Sequence, residues 1–496
     1  MISNLLTKIT SSKKYMQIIY AVLFLLFVFD LAFSFHQFRF FAFEGDFATI
    51  IIPSDSYKSV MENPLGWQVI NHPEGYAQPN RYFEFKIMME YFKTVPLILQ
   101  NFFSPIGSMY FSAALLKVFT QFALIYLIAI LLSGKMSLFN RKNILIYTLC
   151  FPFFQTWGYQ ELMAIIDPSI TYAFCYATST IFVIVFYIPF VLKYIHKSNF
   201  NFNWFWYLIF FLYSIFVNLN ASLNAPIILI VSLIAFAGYG IHYAQNNKGN
   251  LISNFIIGIF KTIPKPIFYI FIWASIMALY SLYIGTFNLE NDWVEMSLQE
   301  RYSKLPKGVI KQFFGKFGMA LFTITIAIQL FIFYRLHPLK QKYSKFIIAA
   351  FLFILIYILL LPLGGYRSYR PLILRRDTFI PVLLMLMALF SFLTYQNWSI
   401  AKSKHRIASF LWVTGLLMIF TIADKKVIQQ NDCEVRNLIQ ISQSNEPIIE
   451  LNEDCSVMSW GLINNPVYSN YNMILLYHYG IIKDVNQRYI HKSTKK

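Results

Sequence analysis

Charge is scarce in this chain. Of its 496 residues 13% are Asp, Glu, Lys or Arg, against roughly a quarter in soluble domains, and that shortage excludes a soluble protein. Cysteine numbers four, with no paired spacing of the kind that holds a metal. A P-loop, a His pair at helical spacing and a Gly-rich turn between strand and helix are all missing, which removes the metal and nucleotide signatures and makes soluble cofactors unexpected. No metal site is expected, and a divalent ion is left open without support. No Gly/Ser linker, solenoid-type period or low-complexity tract interrupts the chain. What is abundant is apolar and aromatic: 57% of residues are hydrophobic, and 52 Phe, 33 Tyr and 9 Trp bring the aromatics to 19%. Such an excess suits side chains that face lipid and the headgroup layer. Disordered and fibrous classes fall with the same composition.

A spanning helix needs about 20 mainly apolar residues. Eleven stretches qualify: 15–35, 109–133, 144–157, 169–192, 204–220, 226–245, 267–287, 318–334, 346–363, 377–395 and 407–423. The third is short and reads as re-entrant or tilted. The first is too long for a signal-peptide core and lacks a small-residue cleavage site, so it reads as a retained anchor.

Formal charge is +18, and its placement separates a nucleic-acid binder from a membrane protein with a basic inner face. With Lys8, Lys13 and Lys14 ahead of the first span, the N-terminus is expected in the cytoplasm. The six segments then on the inside carry 18 Lys and Arg and no acid, while the outer segments, with Asp377 at the head of the tenth stretch counted among them, balance at 22 acidic and 22 basic residues. Asp30 and Lys117 remain within spans, either as an intramembrane pair or with Lys117 snorkelling or facing a lipid-phosphate cavity. The net charge is thus topological, and nucleic acid is not an expected partner. The expected architecture is an α-helical polytopic membrane protein of about 11 transmembrane helices. Its C-terminus lies outside, at a bacterial inner membrane. The frequency of Phe and Lys also suits an AT-rich bacterial gene.

Two units are expected: a transmembrane domain over 1–423, with a large first outer loop at 36–108, and an outer C-terminal domain over 424–496. The segment from Tyr82 to Phe103 and the loop 288–317 mix charge with aromatics, as helices lying along the interface do. The tail alternates a helical stretch near Glu434–Ser442, a strand-like Pro447–Leu451 and a helix around Tyr471–Tyr479 stopped by Gly480, so a small α/β cap is expected. Cys433 and Cys455 fall in it, either as a disulfide or as two free thiols.

Carboxylates and arginines on the outer side are the groups that a reaction on a lipid-phosphate substrate would use. FEGD places Glu44 and Asp46 about ten residues beyond the first span, and PSDSY adds Asp55 and Tyr57. A carboxylate just above the bilayer can deprotonate a hydroxyl nucleophile, and a solvated loop acid is the plain alternative. Arg81, in QPNRYF, either binds phosphate or pairs with Glu84 on its own helix face. GGYRSYRPLILRRD crowds Arg367, Arg370, Arg375 and Arg376 into ten residues beside Asp377. Four arginines there break the inside-positive pattern, and guanidinium forks hold a lipid phosphate or pyrophosphate well; binding to anionic headgroups or to loop carboxylates is the plain alternative.

This layout resembles the polytopic lipid-linked sugar transferases of the GT-C class, and in particular bacterial glucosyltransferase-like membrane proteins. The likeness covers architecture along nearly the whole chain. It is carried by YRSYRPLILRRDTFIP at Tyr366–Pro381 and NPVYSNYNMILLYHYGI at Asn465–Ile481. It implies a base in the first loop, at Asp46 with Glu44 and Asp55 as alternatives. It also implies a lipid-phosphate site at Arg367, Arg370, Arg375 and Arg376, with Arg81 nearby. The implied reaction is inverting transfer of a sugar from a polyprenyl-phosphate donor to an envelope glycan, lipid or protein on the outer face. Other readings are a sugar-lipid transporter, a non-catalytic subunit of an envelope complex, and a glycan polymerase or ligase.

Overall fold

The computed structural model describes residues 13–72, 75–290, 296–364, 372–400, 403–427 and 429–492. Among them, nine helices are long and apolar enough to cross a membrane, and the chain is an α-helical polytopic membrane protein. The nine coincide with nine of the eleven expected stretches. Their ends carry the local signals that stop and start helices. Pro105 opens the helix Pro105–Ser133 behind the N-cap Ser104, whose side chain accepts from the Gly107 amide. At the other end Gly134 takes a left-handed φ of 70°, and a Cβ there would lie 2.4 Å from the His196 ring, so only glycine closes this turn.

The other two stretches form shorter helices. Arg141–Cys150 gives way at Pro152 to a 3-10 turn, because proline removes a helical hydrogen bond and clashes with the preceding turn. The chain beyond it is irregular backbone held by the far end of the sequence: the Thr156 and Trp157 amides donate to the Asp424 carboxylate at 3.2 and 2.8 Å, and Gln155 Nε2 donates to the Phe420 carbonyl at 3.0 Å. Trp204–Asn218 has 15 residues, about 22 Å at 1.5 Å per residue, and ends where Asn218 donates to the carbonyls of Ser214 and Ala274. The two intramembrane charges do not pair with each other. Lys117 donates to the Pro168 carbonyl and lies over the rings of Phe38 and Phe41, while Asp30 accepts from Gln121 at 3.0 Å.

The tail forms the helix Asp432–Gln443, the strand Ile448–Leu451 and the helix Asn470–His478, as its pattern predicts. An unforeseen second strand, Arg488–His491, pairs parallel with the first, Ile448 opposite Arg488. Gly480, at φ 69°, ends the last helix. Cys433 and Cys455 form a disulfide across 22 residues, a constraint worth roughly 3 kcal/mol in the chain-entropy picture.

Besides the core between the spans, a second apolar core joins the tail to the segment after the first span: Phe43, Phe47, Phe85 and Phe92 pack with Leu438, Leu451, Met473 and Tyr479. Tyr479 Oη donates to the Phe92 carbonyl at 2.8 Å, and Gln100 Nε2 donates to the Tyr479 carbonyl at 2.9 Å. At the centre of this seam the buried Glu434 accepts from Tyr110 Oη at 2.6 Å and from the amides of Met458 and Phe43 at 2.8 and 3.0 Å.

Burial pushes the Glu434 carboxyl up to about 7 despite those three donors. The folded state therefore holds a proton there that the unfolded chain releases near pH 4.5. Stability from this group is full below that pH and falls as pH rises toward 7, by a few kcal/mol at about 1.4 kcal/mol per pH unit. Glu434→Gln is expected to flatten this slope between pH 5 and 8 in thermal unfolding of the purified protein. It should also lower stability by about 1–3 kcal/mol, because its amide nitrogen would face an N–H donor. An unchanged slope would remove Glu434 as its origin.

Candidate functional site

Two adjoining cavities lie at the end of the helix bundle that carries the tail. The first, of about 460 Å³, is the more polar; Asp46, Tyr57, Gln78, Arg81, Glu290 and Trp460 line it, together with Tyr172 and Tyr176 and the apolar Ile50 and Phe85. The second, of about 630 Å³, runs between helices and is lined mainly by Leu229, Leu279, Leu282, Leu360, Leu363 and Ile373, with Arg375 at one wall. Gln78, Arg81 and Tyr176 line both. Both volumes fall in the range of roughly 300–1,000 Å³ typical of ligand pockets.

Asp46 sits in the first turn of the short helix Gly45–Ile51. It is half-buried, and its Oδ1 accepts from Trp460 Nε1 at 3.2 Å. Gly45 makes this approach possible, since a Cβ there would lie 2.7 Å from the Trp460 ring. Glu290 also lines this cavity, held by Gln78 Nε2 at 3.0 Å. Gln78 has a left-handed φ of 58°, and its amide is anchored on Asn288 Oδ1 at 2.9 Å. Burial pushes the Tyr57 hydroxyl up, and the charges of Asp46 and Glu290 push it further, so it stays a neutral hydrogen-bonding group. Tyr176 and Cys175 come from a π-helical stretch, Ala173–Thr178. Such a bulge shifts side-chain direction within a helix and is common at functional sites.

Arg81 stands where the cavities meet. It is buried and pairs bidentately with buried Glu84, Nη2 to Oε1 at 2.7 Å, with its guanidinium 5.2 Å from the Phe85 ring centre. Burial pushes the Glu84 carboxyl up and Arg81 draws it back down. The two readings open for Arg81 are therefore compatible: it pairs with Glu84 and also faces both cavities.

The other expected site residues take different places. Glu44 is turned into the protein, where its carboxylate accepts from the amides of Ile170 and Thr171 at 3.2 and 2.9 Å. It caps the helix at Ile170 and lines neither cavity. Asp55 is exposed in the first turn of Asp55–Glu62 and also lies outside both. Arg375 lines the apolar cavity and pairs with Asp377 at 2.9 Å. Arg376 is paired with Asp167 and lines neither cavity. Arg367 and Arg370 lie outside the described residues. Of the arginine run, Arg375 thus reaches the apolar cavity beside the one that holds Asp46.

Glu290, Gln78, Tyr172 and Trp460 escaped sequence reasoning. Glu290 had one signal, as the first acid after the seventh apolar stretch. Trp460 had none, because its partner Asp46 is 414 residues away. Among the described residues no three His, Cys, Asp or Glu stand together as a metal-binding group. No protein family, curated protein or solved structure matches the chain.

Proposed function

We propose that this protein transfers a sugar from a polyprenyl-phosphate donor, with inversion, to an acceptor on the outer face of a bacterial inner membrane. The reading includes eleven crossings, a cytoplasmic N-terminus and an outer tail, on the strength of the charge distribution. The observation that carries it is the pair of joined cavities. An apolar cleft between helices suits an isoprenoid chain, a guanidinium at the junction suits its phosphate, and a polar chamber beyond suits a sugar.

Asp46 takes the proton of the acceptor hydroxyl, whose oxygen attacks the anomeric carbon as the bond from that carbon to the phosphate oxygen breaks. The electron pair leaves with the polyprenyl phosphate, whose charge Arg81 and Arg375 stabilise. Native mass spectrometry of the purified protein tests the donor class. Bound polyprenyl phosphate or its glycosylated form is expected to be carried through purification and to be lost on Arg375→Glu. Exclusive retention of ordinary phospholipids, in the wild type and after added polyprenyl phosphate, would overturn the reading.

A further inference from the structure

Trp460 is 58% exposed, yet it lines the polar chamber and is fixed there in two ways. Its indole nitrogen donates to Asp46 at 3.2 Å, and its ring lies beside Tyr172, with centres 5.6 Å apart and planes 38° apart. The tail that carries it is cross-linked by the disulfide and seated on the second core. What singles Trp460 out is its fixed place on the wall of a cavity beside Asp46, where the open indole offers an apolar face and a polar edge to a ligand. A saccharide fits best. A pyranose offers an apolar C–H face to an indole and a rim of hydroxyls to acceptors such as Asp46, Glu290 and Gln78. A lipid acceptor would need a mainly apolar wall, which the other cavity has, whereas Ile50 and Phe85 are the only aliphatic or phenyl side chains that line this chamber among the described residues. The two acids further disfavour an anionic sugar.

We infer that the acceptor is an uncharged glycan whose terminal ring stacks on Trp460, which orients one hydroxyl toward Asp46. This rests on the transferase reading and names its acceptor class. It assigns the tail a positioning role at the site.

Saturation-transfer NMR on the full-length protein in nanodiscs, with maltohexaose, cellohexaose and the hexamer of N-acetylglucosamine as probes, tests it. At least one hexasaccharide is expected to bind, with affinity reduced at least tenfold in Trp460→Ala and largely kept in Trp460→Phe. Gly45→Ala, which drives a Cβ into the indole without removing it, should weaken binding too. Polyprenyl-phosphate binding should be unchanged in all three variants, which reports that they fold. Wild-type protein that binds polyprenyl phosphate but none of the sugars overturns the glycan acceptor and leaves the donor reading standing. Sugar binding indifferent to both Trp460→Ala and Gly45→Ala overturns the stacking role. Preference for a serine- and threonine-rich peptide over every sugar would make the acceptor a protein.

Discussion

Asp46→Asn is expected to lower sugar transfer by about a hundredfold to ten-thousandfold, the usual range for loss of general-base help, with donor and glycan binding nearly intact. The substitution keeps the shape of the side chain, and its amide oxygen still accepts from Trp460 Nε1, so the chamber should keep its geometry while the proton acceptor disappears. The measurement is initial rate against acceptor concentration with a polyprenyl-phosphate sugar, where kcat should fall and KM should change little. Two neighbours serve as controls. Asp55→Asn, exposed and outside the cavities, should leave the rate within twofold. Glu44→Gln should act on stability, because it weakens the cap that holds the helix at Ile170. Glu290→Gln is the informative rival, as the only other acid that lines the chamber among the described residues. Full activity in Asp46→Asn together with loss in Glu290→Gln would transfer the role to Glu290, and full activity in both would remove the mechanism.

The second large effect is expected at Arg81. Arg81→Leu leaves Glu84 buried without its counter-charge, which typically costs about 3–5 kcal/mol, and it also removes the guanidinium at the junction of the cavities. A second substitution separates these consequences. In Arg81→Leu combined with Glu84→Leu no buried charge is stranded, so thermal stability should recover most of the loss, as it often does when a buried ion pair is replaced by apolar side chains. Polyprenyl-phosphate binding should remain weakened at least tenfold. A double variant that binds the lipid phosphate as well as wild type would show that Arg81 serves the fold alone.

These experiments turn on contacts of very different sequence range, and that range divides what could be read in advance from what could not. The spanning helices, their approximate bounds, the helix-strand-helix order of the tail and the acids after the first span all follow from local signals: apolar length, hydrophobic pattern and the glycine at 480. Composition and charge placement are sums over the chain, so the class of polytopic membrane protein was legible too. The early end of the third stretch at Pro152 was visible as a proline, but what receives the irregular backbone beyond it was not, because Asp424 and Phe420 come from the far end of the chain.

The site was decided almost wholly by tertiary structure. Glu44 and Asp46 are two residues apart in one motif, and only packing turns the first inward to cap a helix and the second toward Trp460. Arg375 and Arg376 are adjacent, yet Asp377 holds one at the apolar cavity and Asp167 holds the other away from it. Sequence reports which side chains can carry a charge. Which of them share a cavity depends on where the fold sets neighbours such as Gln78, Glu290 and Trp460, brought together by a buried core whose members lie hundreds of residues apart. Burial is a property of the assembled fold, and it has no local signature.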